Sequence, residues 1–155
     1  MIARIFRRLR SPLRRSEDVS VEYRPRPDGQ PDPGEVVWAW VAYEDDPTQG
    51  KDRPIVIIGR NATLLVGVAL TTKNSGETAD RFAVGTGAWD SQRRPSFAKT
   101  DRLLTLQPRA VRREGATFDR QRFDSLVGAI ATRHGWKSVE QFRSQLLRDS
   151  VSVTE

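Results

Sequence analysis

The sequence predicts a mainly β domain followed by α-helix, and three observations support this fold class. Short runs rich in β-branched and aromatic residues recur at close intervals through the middle of the chain. A helical spacing of apolar residues occurs only in the last third. Strands and helices therefore do not alternate as in a parallel α/β fold, and we expect a small antiparallel barrel with one or two C-terminal helices.

The strongest strand signals are three apolar runs. Residues 36–43 read VVWAWVAY, residues 55–58 read IVII and residues 64–70 read LLVGVAL. A polar, turn-rich segment separates the first two runs, and Arg60 and Asn61 precede the third, which predicts a tight antiparallel connection. Weaker strand signals follow at residues 81–84, 96–99 and 103–106.

The helical pattern begins at about Asp119, and Gly135 is placed to end the helix. One face of this helix carries the apolar residues Phe123, Leu126, Val127 and Ile130. A second helix is predicted from Ser138, because Ser138 and Gln141 have the spacing of a capping box.

These patterns divide the chain into three parts. Residues 1–32 are expected to form a basic, Pro-rich tail and linker, residues 33–135 the barrel domain with its helix, and residues 136–155 a C-terminal helix and frayed tail. The linker prediction rests on residues 24–34, which are too rich in Pro, Gly and Asp to form a core. We therefore expect residues 1–30 to lie outside the core.

The formal charge of +6 is concentrated at one end of the chain. Residues 1–15 contain six arginines and no acidic residue. The whole chain has 26 Lys and Arg and 20 Asp and Glu, so the basic and acidic residues after position 15 balance. A nucleic-acid-binding surface in the domain would have to come from local clustering of charge. Residues 1–15 themselves are either a solvated tail or an arm that contacts RNA or an anionic membrane.

Several common sites have no support in the sequence. The chain has no cysteine and one histidine, His134, for which a structural role is the simpler interpretation. Walker, kinase and GxSxG motifs are absent from the sequence, so nucleotide hydrolysis and triad hydrolysis are not expected. No apolar run reaches the length of a secretory or membrane-spanning segment, and we expect a cytoplasmic protein without a membrane span.

Three sequence segments resemble the PemK/MazF family. Residues 33–38 read PGEVVW, residues 50–58 read GKDRPIVII and residues 68–72 read VALTT. Their order and spacing resemble the family pattern G-[DE]-[VI]-[VW]-W, G-x-x-R-P with an apolar run, and a strand ending in L-T-[ST]. The resemblance spans residues 33–132. It implies an SH3-like or CcdB-like barrel, usually a homodimer, that cleaves single-stranded RNA without a metal or other cofactor and is neutralised by a cognate antitoxin.

The catalytic positions of the family correspond to Arg53 and Thr71. When an RNA 2′-hydroxyl attacks the neighbouring phosphate, negative charge accumulates that a guanidinium and a hydroxyl can stabilise. A guanidinium is a poor base near neutral pH. Many family members have a glutamate five residues before this arginine, where this chain has Thr48. Either the reaction proceeds by positioning and charge stabilisation alone, or the general base is one of Glu44, Asp45 and Asp46.

Residues near the two catalytic positions are expected to contact RNA. The candidates for RNA binding are Gln49, Lys51, Thr72, Lys73 and Arg94. For base stacking, Trp89 and Phe97 lie in a polar segment and are preferred over Trp38 and Trp40 in the strand.

Two other kinds of function remain open at this stage. The chain is alternatively a non-catalytic, CcdB-like toxin that poisons an enzyme complex by binding, or an RNA- or protein-binding module of the same fold. Without the family resemblance, Arg53 would be interpreted as a strand-end arginine paired with a loop acid such as Asp52, and Thr71 as a strand-terminating hydroxyl.

Overall fold

The computed structural model describes residues 19–26, 30–73 and 80–136. The strands in these ranges are β1 (Ser20–Val21), β2 (Glu35–Ala42), β3 (Gly50–Asn61), β4 (Leu64–Thr71), β5 (Arg81–Gly85), β6 (Ser96–Lys99), β7 (Leu104–Leu106) and β8 (Arg112–Thr117). A short 3-10 helix, Pro108–Ala110, precedes β8, and helix α1 spans Arg120–His134. The predicted class, mainly β with a C-terminal helix, is confirmed. The second helix predicted from Ser138 lies outside the described residues.

The strands form one curled antiparallel sheet in the order β5-β6-β4-β3-β2-β8, while β1 pairs with β3 and β7 pairs with β4. Every pair of neighbours is antiparallel. Within the described ranges the end strands β5 and β8 do not pair with each other. The predicted barrel is therefore a half-barrel, closed on one side by α1 rather than by a complete ring of hydrogen bonds.

Strands β2, β4 and β6 begin and end within one residue of the predicted positions. Strand β3 begins five residues earlier than the apolar run 55–58, because its polar first half pairs with β2 as far as Gly50. The β3–β4 turn lies at residues 62–63, just after the predicted Arg60 and Asn61, and Ala62 adopts a φ of 53° there. Strands β1 and β8 were not predicted.

The core has two parts because successive strand residues point to opposite faces of the sheet. In β3, Val56 and Ile58 point to one face, and Ile55 and Ile57 to the other. The larger cluster fills the space between the sheet and α1, and includes Val36, Val68, Leu70, Trp89, Phe118, Phe123, Leu126 and Ile130. The smaller cluster lies on the face of the sheet opposite to α1, and its buried residues are Val37, Ala39, Val41, Ile55, Ile57, Leu65, Ala69 and Leu104.

Helix α1 is capped at both ends as the sequence predicts. The Asp119 carboxylate accepts a hydrogen bond from the Arg122 backbone N–H at 2.8 Å, and Gly135 ends the helix in the left-handed conformation with a φ of 64°. The predicted apolar face is buried. His134 at the last turn donates from Nε2 to the Thr100 carbonyl at 2.7 Å, which ties the helix end to the loop after β6.

Residues 19–26 pack against the domain, and we call this segment the N-terminal strap. Val19 and Val21 are only 6% and 1% exposed and belong to the larger core cluster. The expectation that residues 1–30 lie outside the core is therefore wrong for the strap, and the packed structure begins before residue 33. Residues 1–18 and 27–29 of that segment lie outside the described residues, and Gln30 is exposed.

The strap is held by backbone pairing and by an aromatic contact. Ser20 and Val21 pair with β3 so closely that a Cβ atom on Gly59 would lie 2.2 Å from the Ser20 carbonyl oxygen. The Tyr23 hydroxyl donates to the Phe118 carbonyl at 2.6 Å, and its ring packs 5.1 Å from the ring of Phe123. The alternating apolar residues of this segment were the signal for a strand, but the segment is too short to be distinguished from linker.

Candidate active site

A cleft opens where β3 and β4 separate. Their shared ladder ends at the pair Ile55 and Ala69, after which Leu70 and Thr71 pair with β6 instead. Continuing the β3–β4 register by two residues would place Arg53 opposite Thr71. Because β4 changes partner at this point, both side chains lie at an opening between strands.

The first cleft has a volume of about 170 Å³ and contains six of the seven residues predicted for catalysis and RNA binding. These six are Lys51, Arg53, Thr71, Thr72, Lys73 and Arg94. The seventh, Gln49, is exposed in the β2–β3 loop, where its carbonyl accepts a hydrogen bond from the Tyr43 N–H at 2.9 Å. Residues from three separate segments thus meet around one opening.

A second cleft, of about 300 Å³, also includes Arg53 in its lining. Its polar lining residues are Tyr43, Glu44, Asp45, Arg53, Lys99 and Arg102. Arg53 therefore lies between the two clefts. Sequence reasoning missed Tyr43, Lys99 and Arg102, because these residues follow β2 or lie around the end of β6 and come near Arg53 only in the folded sheet.

The Arg53 side chain is half-buried, and no hydrogen-bond or ion-pair partner for its guanidinium occurs in the described part of the chain. Burial lowers the pKa of Arg53, the charges of Arg81 and Arg102 lower it further, and Tyr43 opposes them. The guanidinium remains charged near neutral pH because its ordinary pKa is far above 7. Its donors are therefore available to an anionic ligand.

The alternative interpretation of Arg53, a structural pair with Asp52, is wrong. The Asp52 carboxylate instead accepts a hydrogen bond from Arg112 Nη2 at 2.9 Å. Neighbouring residues of a strand point to opposite faces, so Asp52 and Arg53 cannot readily pair.

Positive charges repel one another around Arg53. The charge of Arg53 is the main cause that lowers the pKa of Lys51, and burial, Lys73 and Lys99 act in the same direction. The pKa of Lys99 is lowered first by burial and then by Arg81 and Arg53. Several cations held close enough to depress one another's pKa form a local positive potential, as expected for a site that binds a polyanion.

Thr71 is half-buried at the end of β4, and its hydroxyl orientation is restricted. Its Oγ1 accepts a hydrogen bond from the Lys73 backbone N–H at 3.2 Å. Since that lone pair is occupied, the hydroxyl hydrogen can point into the first cleft as a donor.

The three acidic candidates for general base differ in their surroundings. Glu44 and Asp45 line the second cleft with Arg53, and Glu44 lies 3.7 Å from Arg102. Asp46 lines neither cleft. Its carboxylate accepts hydrogen bonds from the Thr48 N–H at 3.1 Å and the Thr48 hydroxyl at 2.6 Å. Among the described residues, no group of three or more His, Asp or Glu is arranged to hold a metal ion.

Arg94 reaches the first cleft as part of a fixed pair. Its Nε donates to Asp90 Oδ2 at 2.8 Å and its Nη2 to Oδ1 at 3.3 Å. This side-chain bond is the main reason that the pKa of Asp90 falls to about 2. Arg94 is therefore oriented by Asp90, and its charge is partly neutralised.

The exposure of the aromatic side chains differs from the prediction for base stacking. Trp89 is buried at 4% exposure, and its indole N–H donates to the Ser96 hydroxyl at 3.0 Å, so the prediction that it is free for base stacking is wrong. Phe97 is half-buried. Trp38 lines the first cleft, whereas Trp40 on the same strand is 52% exposed.

Comparison with known proteins agrees with this fold. Residues 32–133, more than half of the chain, match the family described as PemK-like, MazF-like toxin of type II toxin-antitoxin system. A search of curated proteins gives no significant match. In the described residues, no helix combines the length and the hydropathy that a membrane-spanning segment needs.

Solved structures show the same fold. MazF of Deinococcus radiodurans in crystal form I is 20% identical, with a TM-score of 0.54 over 70% of this chain and 99% of that chain. The MazE–MazF structure from Deinococcus radiodurans in form II is 20% identical, with a TM-score of 0.53 over 71% and 100%. An endoribonuclease in complex with its cognate antitoxin from Mycobacterial species is 20% identical, with a TM-score of 0.53 over 70% and 98%.

Proposed function

This chain belongs to the PemK-like, MazF-like toxins of type II toxin–antitoxin systems, and we propose that it is a sequence-selective, metal-independent endoribonuclease that cleaves single-stranded RNA. The main support is Arg53, a half-buried guanidinium without an internal partner among the described residues, at a cleft that also contains Thr71. The proposed substrate, mRNA, places the activity in the cytoplasm.

The proposed reaction is attack of a ribose 2′-oxygen on the adjacent phosphorus. A P–O2′ bond forms and the P–O5′ bond breaks, so the products carry a 2′,3′-cyclic phosphate and a 5′-hydroxyl. The 2′-hydroxyl loses its proton and the leaving 5′-oxygen gains one. Arg53 donates to the non-bridging oxygens with its planar fork, and Thr71 donates one further hydrogen bond, so both stabilise charge that develops in the transition state.

The proton acceptor remains a proposal with two versions. Glu44 and Asp45 line the cleft that Arg53 shares, which favours them over Asp46, whose carboxylate is already engaged by Thr48. In the second version, positioning and charge stabilisation suffice without a protein base.

The proposed RNA path follows the cations of the first cleft. Lys51 and Lys73 are exposed and can reach phosphates, while Gln49 and Thr72 offer hydrogen bonds to sugars or bases. Arg94, which Asp90 holds in place, is proposed to present its remaining donors to the strand.

The decisive experiment is incubation of the purified protein with a long single-stranded RNA in the presence of EDTA. We expect new ends with 2′,3′-cyclic phosphate. Cleavage that disappears in EDTA would contradict the metal-independent mechanism. A protein that produces no new ends under any condition would instead favour the non-catalytic CcdB-like toxin or a binding module of the same fold.

Thr71→Val is expected to slow cleavage by roughly tenfold or more, because valine keeps the shape of threonine but cannot donate to the phosphoryl oxygen. Thr71→Ser keeps both the donor and the bond from the Lys73 N–H, so it should retain most of the activity. Single-turnover rates, with urea unfolding as the check on folding, measure the difference. Equal rates for the valine and serine variants would remove Thr71 from the mechanism.

A homodimer and a cognate antitoxin are the proposed partners. The similar Deinococcus radiodurans MazE–MazF and mycobacterial endoribonuclease–antitoxin structures support the antitoxin. Light scattering is expected to give twice the chain mass of 17.5 kDa. A mass of one chain throughout the micromolar range would contradict the dimer.

A further inference from the structure

Trp40 is the one large hydrophobic side chain that is exposed among the residues the structure describes. The other three tryptophans differ: Trp38 is half-buried, and Trp89 and Trp136 are buried. An indole is the largest apolar side chain, and leaving half of it in water gives up the stabilisation that burial would provide. The Trp40 indole is therefore a flat apolar surface that is open to solvent and accessible to a ligand.

The indole of Trp40 packs closely against Gly50. A Cβ atom on Gly50 would lie 2.7 Å from Cζ2 and 2.8 Å from Cε2 of Trp40, so the ring rests against the bare glycine backbone. With one side of the ring supported in this way, the other side faces solvent. A flat aromatic surface that is already positioned loses little conformational freedom when it stacks with another ring.

Trp40 does not itself line the first cleft but is a neighbour of two residues that do. It follows Trp38 on the same face of β2, roughly 6.8 Å further along the strand, and it pairs across the ladder with Asp52. Trp38 and Asp52 both line the cleft. The Asp52 carboxylate is paired with Arg112 at 2.9 Å, which offsets part of its repulsion of a phosphate.

We propose that Trp40 is a base-stacking subsite, which holds the base of one unpaired nucleotide next to the cleft. This rests on the proposed ribonuclease function and adds a binding residue to it. A single-stranded RNA combines flat apolar bases with a polyanionic backbone, and the surface offers both complements: an exposed indole, and the cations Lys51, Arg53 and Lys73 within the adjoining cleft. An apolar protein segment would use the indole but leave these cations unmatched.

The test uses a short fluorescent RNA that contains a mapped cleavage site and is methylated at every 2′-oxygen, so that binding is measured without cleavage. Trp40→Ala and Trp40→Leu are expected to weaken binding roughly 5- to 150-fold, the range for loss of one stacked base. Trp40→Phe should retain most of the affinity. The leucine variant is the matched control, because it keeps apolar area without an aromatic face.

A series of RNAs, each lacking the base at one position, locates the base that stacks on Trp40. At one position, the abasic RNA should bind the wild-type protein as weakly as the intact RNA binds Trp40→Ala, and the alanine variant should lose nothing further with that RNA. If the loss of affinity from Trp40→Ala and the loss from each missing base were additive at every position, the stacking subsite would be overturned. Thermal unfolding of each variant checks that the domain is folded, which the exposure of Trp40 leads us to expect.

Other outcomes separate this subsite from the function on which it rests. If the wild-type protein neither cleaves nor binds RNA, both proposals fail. If it does both, and Trp40→Ala or Trp40→Leu binds RNA as tightly as wild type, only the stacking subsite is overturned. A variant that keeps its RNA affinity but no longer dimerises or binds an antitoxin would assign Trp40 to a protein interface instead.

Discussion

Arg53→Ala is expected to slow RNA cleavage by more than about 100-fold, the usual scale for loss of one group that stabilises transition-state charge. The Arg53 guanidinium has no internal partner among the described residues, so its removal leaves no other protein group unpaired. The loss should therefore appear in the cleavage rate rather than in stability. Single-turnover cleavage at saturating protein separates this loss from weaker RNA binding.

Two further variants make the Arg53 experiment specific. Arg53→Lys should restore little activity, because an ammonium group cannot donate two parallel hydrogen bonds to a phosphate. Arg109→Ala is the matched control: Arg109 is exposed in the short 3-10 helix and lines neither cleft, so its loss should leave the rate near wild type. A folded Arg53→Ala protein that cleaves at the wild-type rate would remove the central claim of the mechanism.

Val21→Asp is expected to destabilise the domain by about 3–5 kcal/mol, since it removes a buried apolar side chain and places a carboxyl group in the core. Val21 is 1% exposed and packs in the cluster that joins the sheet to α1. Chemical unfolding monitored by tryptophan fluorescence measures the loss. Hydrogen exchange distinguishes global destabilisation from release of the strap alone.

Ser20 provides the control for this experiment. It is the neighbouring residue of β1 and is exposed, because adjacent strand residues point in opposite directions. Ser20→Asp should change stability by no more than about 0.5 kcal/mol, as surface substitutions usually do. If the two aspartate variants unfolded at the same denaturant concentration, the N-terminal strap would not be part of the packed domain in solution.

The elements that were predicted well are those whose signal lies within a single segment. The long apolar runs of β2 and β4, and the apolar face of α1 between Asp119 and Gly135, specify local structure through periodicity and caps. The strap and β8 were missed because they are short or polar. Each becomes a strand only through hydrogen bonds to β3 or β2, which no local pattern reveals.

For the site, the resemblance to the family predicted Arg53 and Thr71 as the catalytic pair, and the structure brings both residues to one cleft. Only the tertiary structure decided which side chains are free. It pairs Asp52 with Arg112 and leaves the Arg53 guanidinium without a partner among the described residues, and it buries Trp89 while exposing Trp40. The physical reason has two parts. Strand alternation places neighbouring residues on opposite faces of the sheet. The helices, loops and strands that bury each face are distant in the sequence, so their positions depend on the packing of the whole sheet.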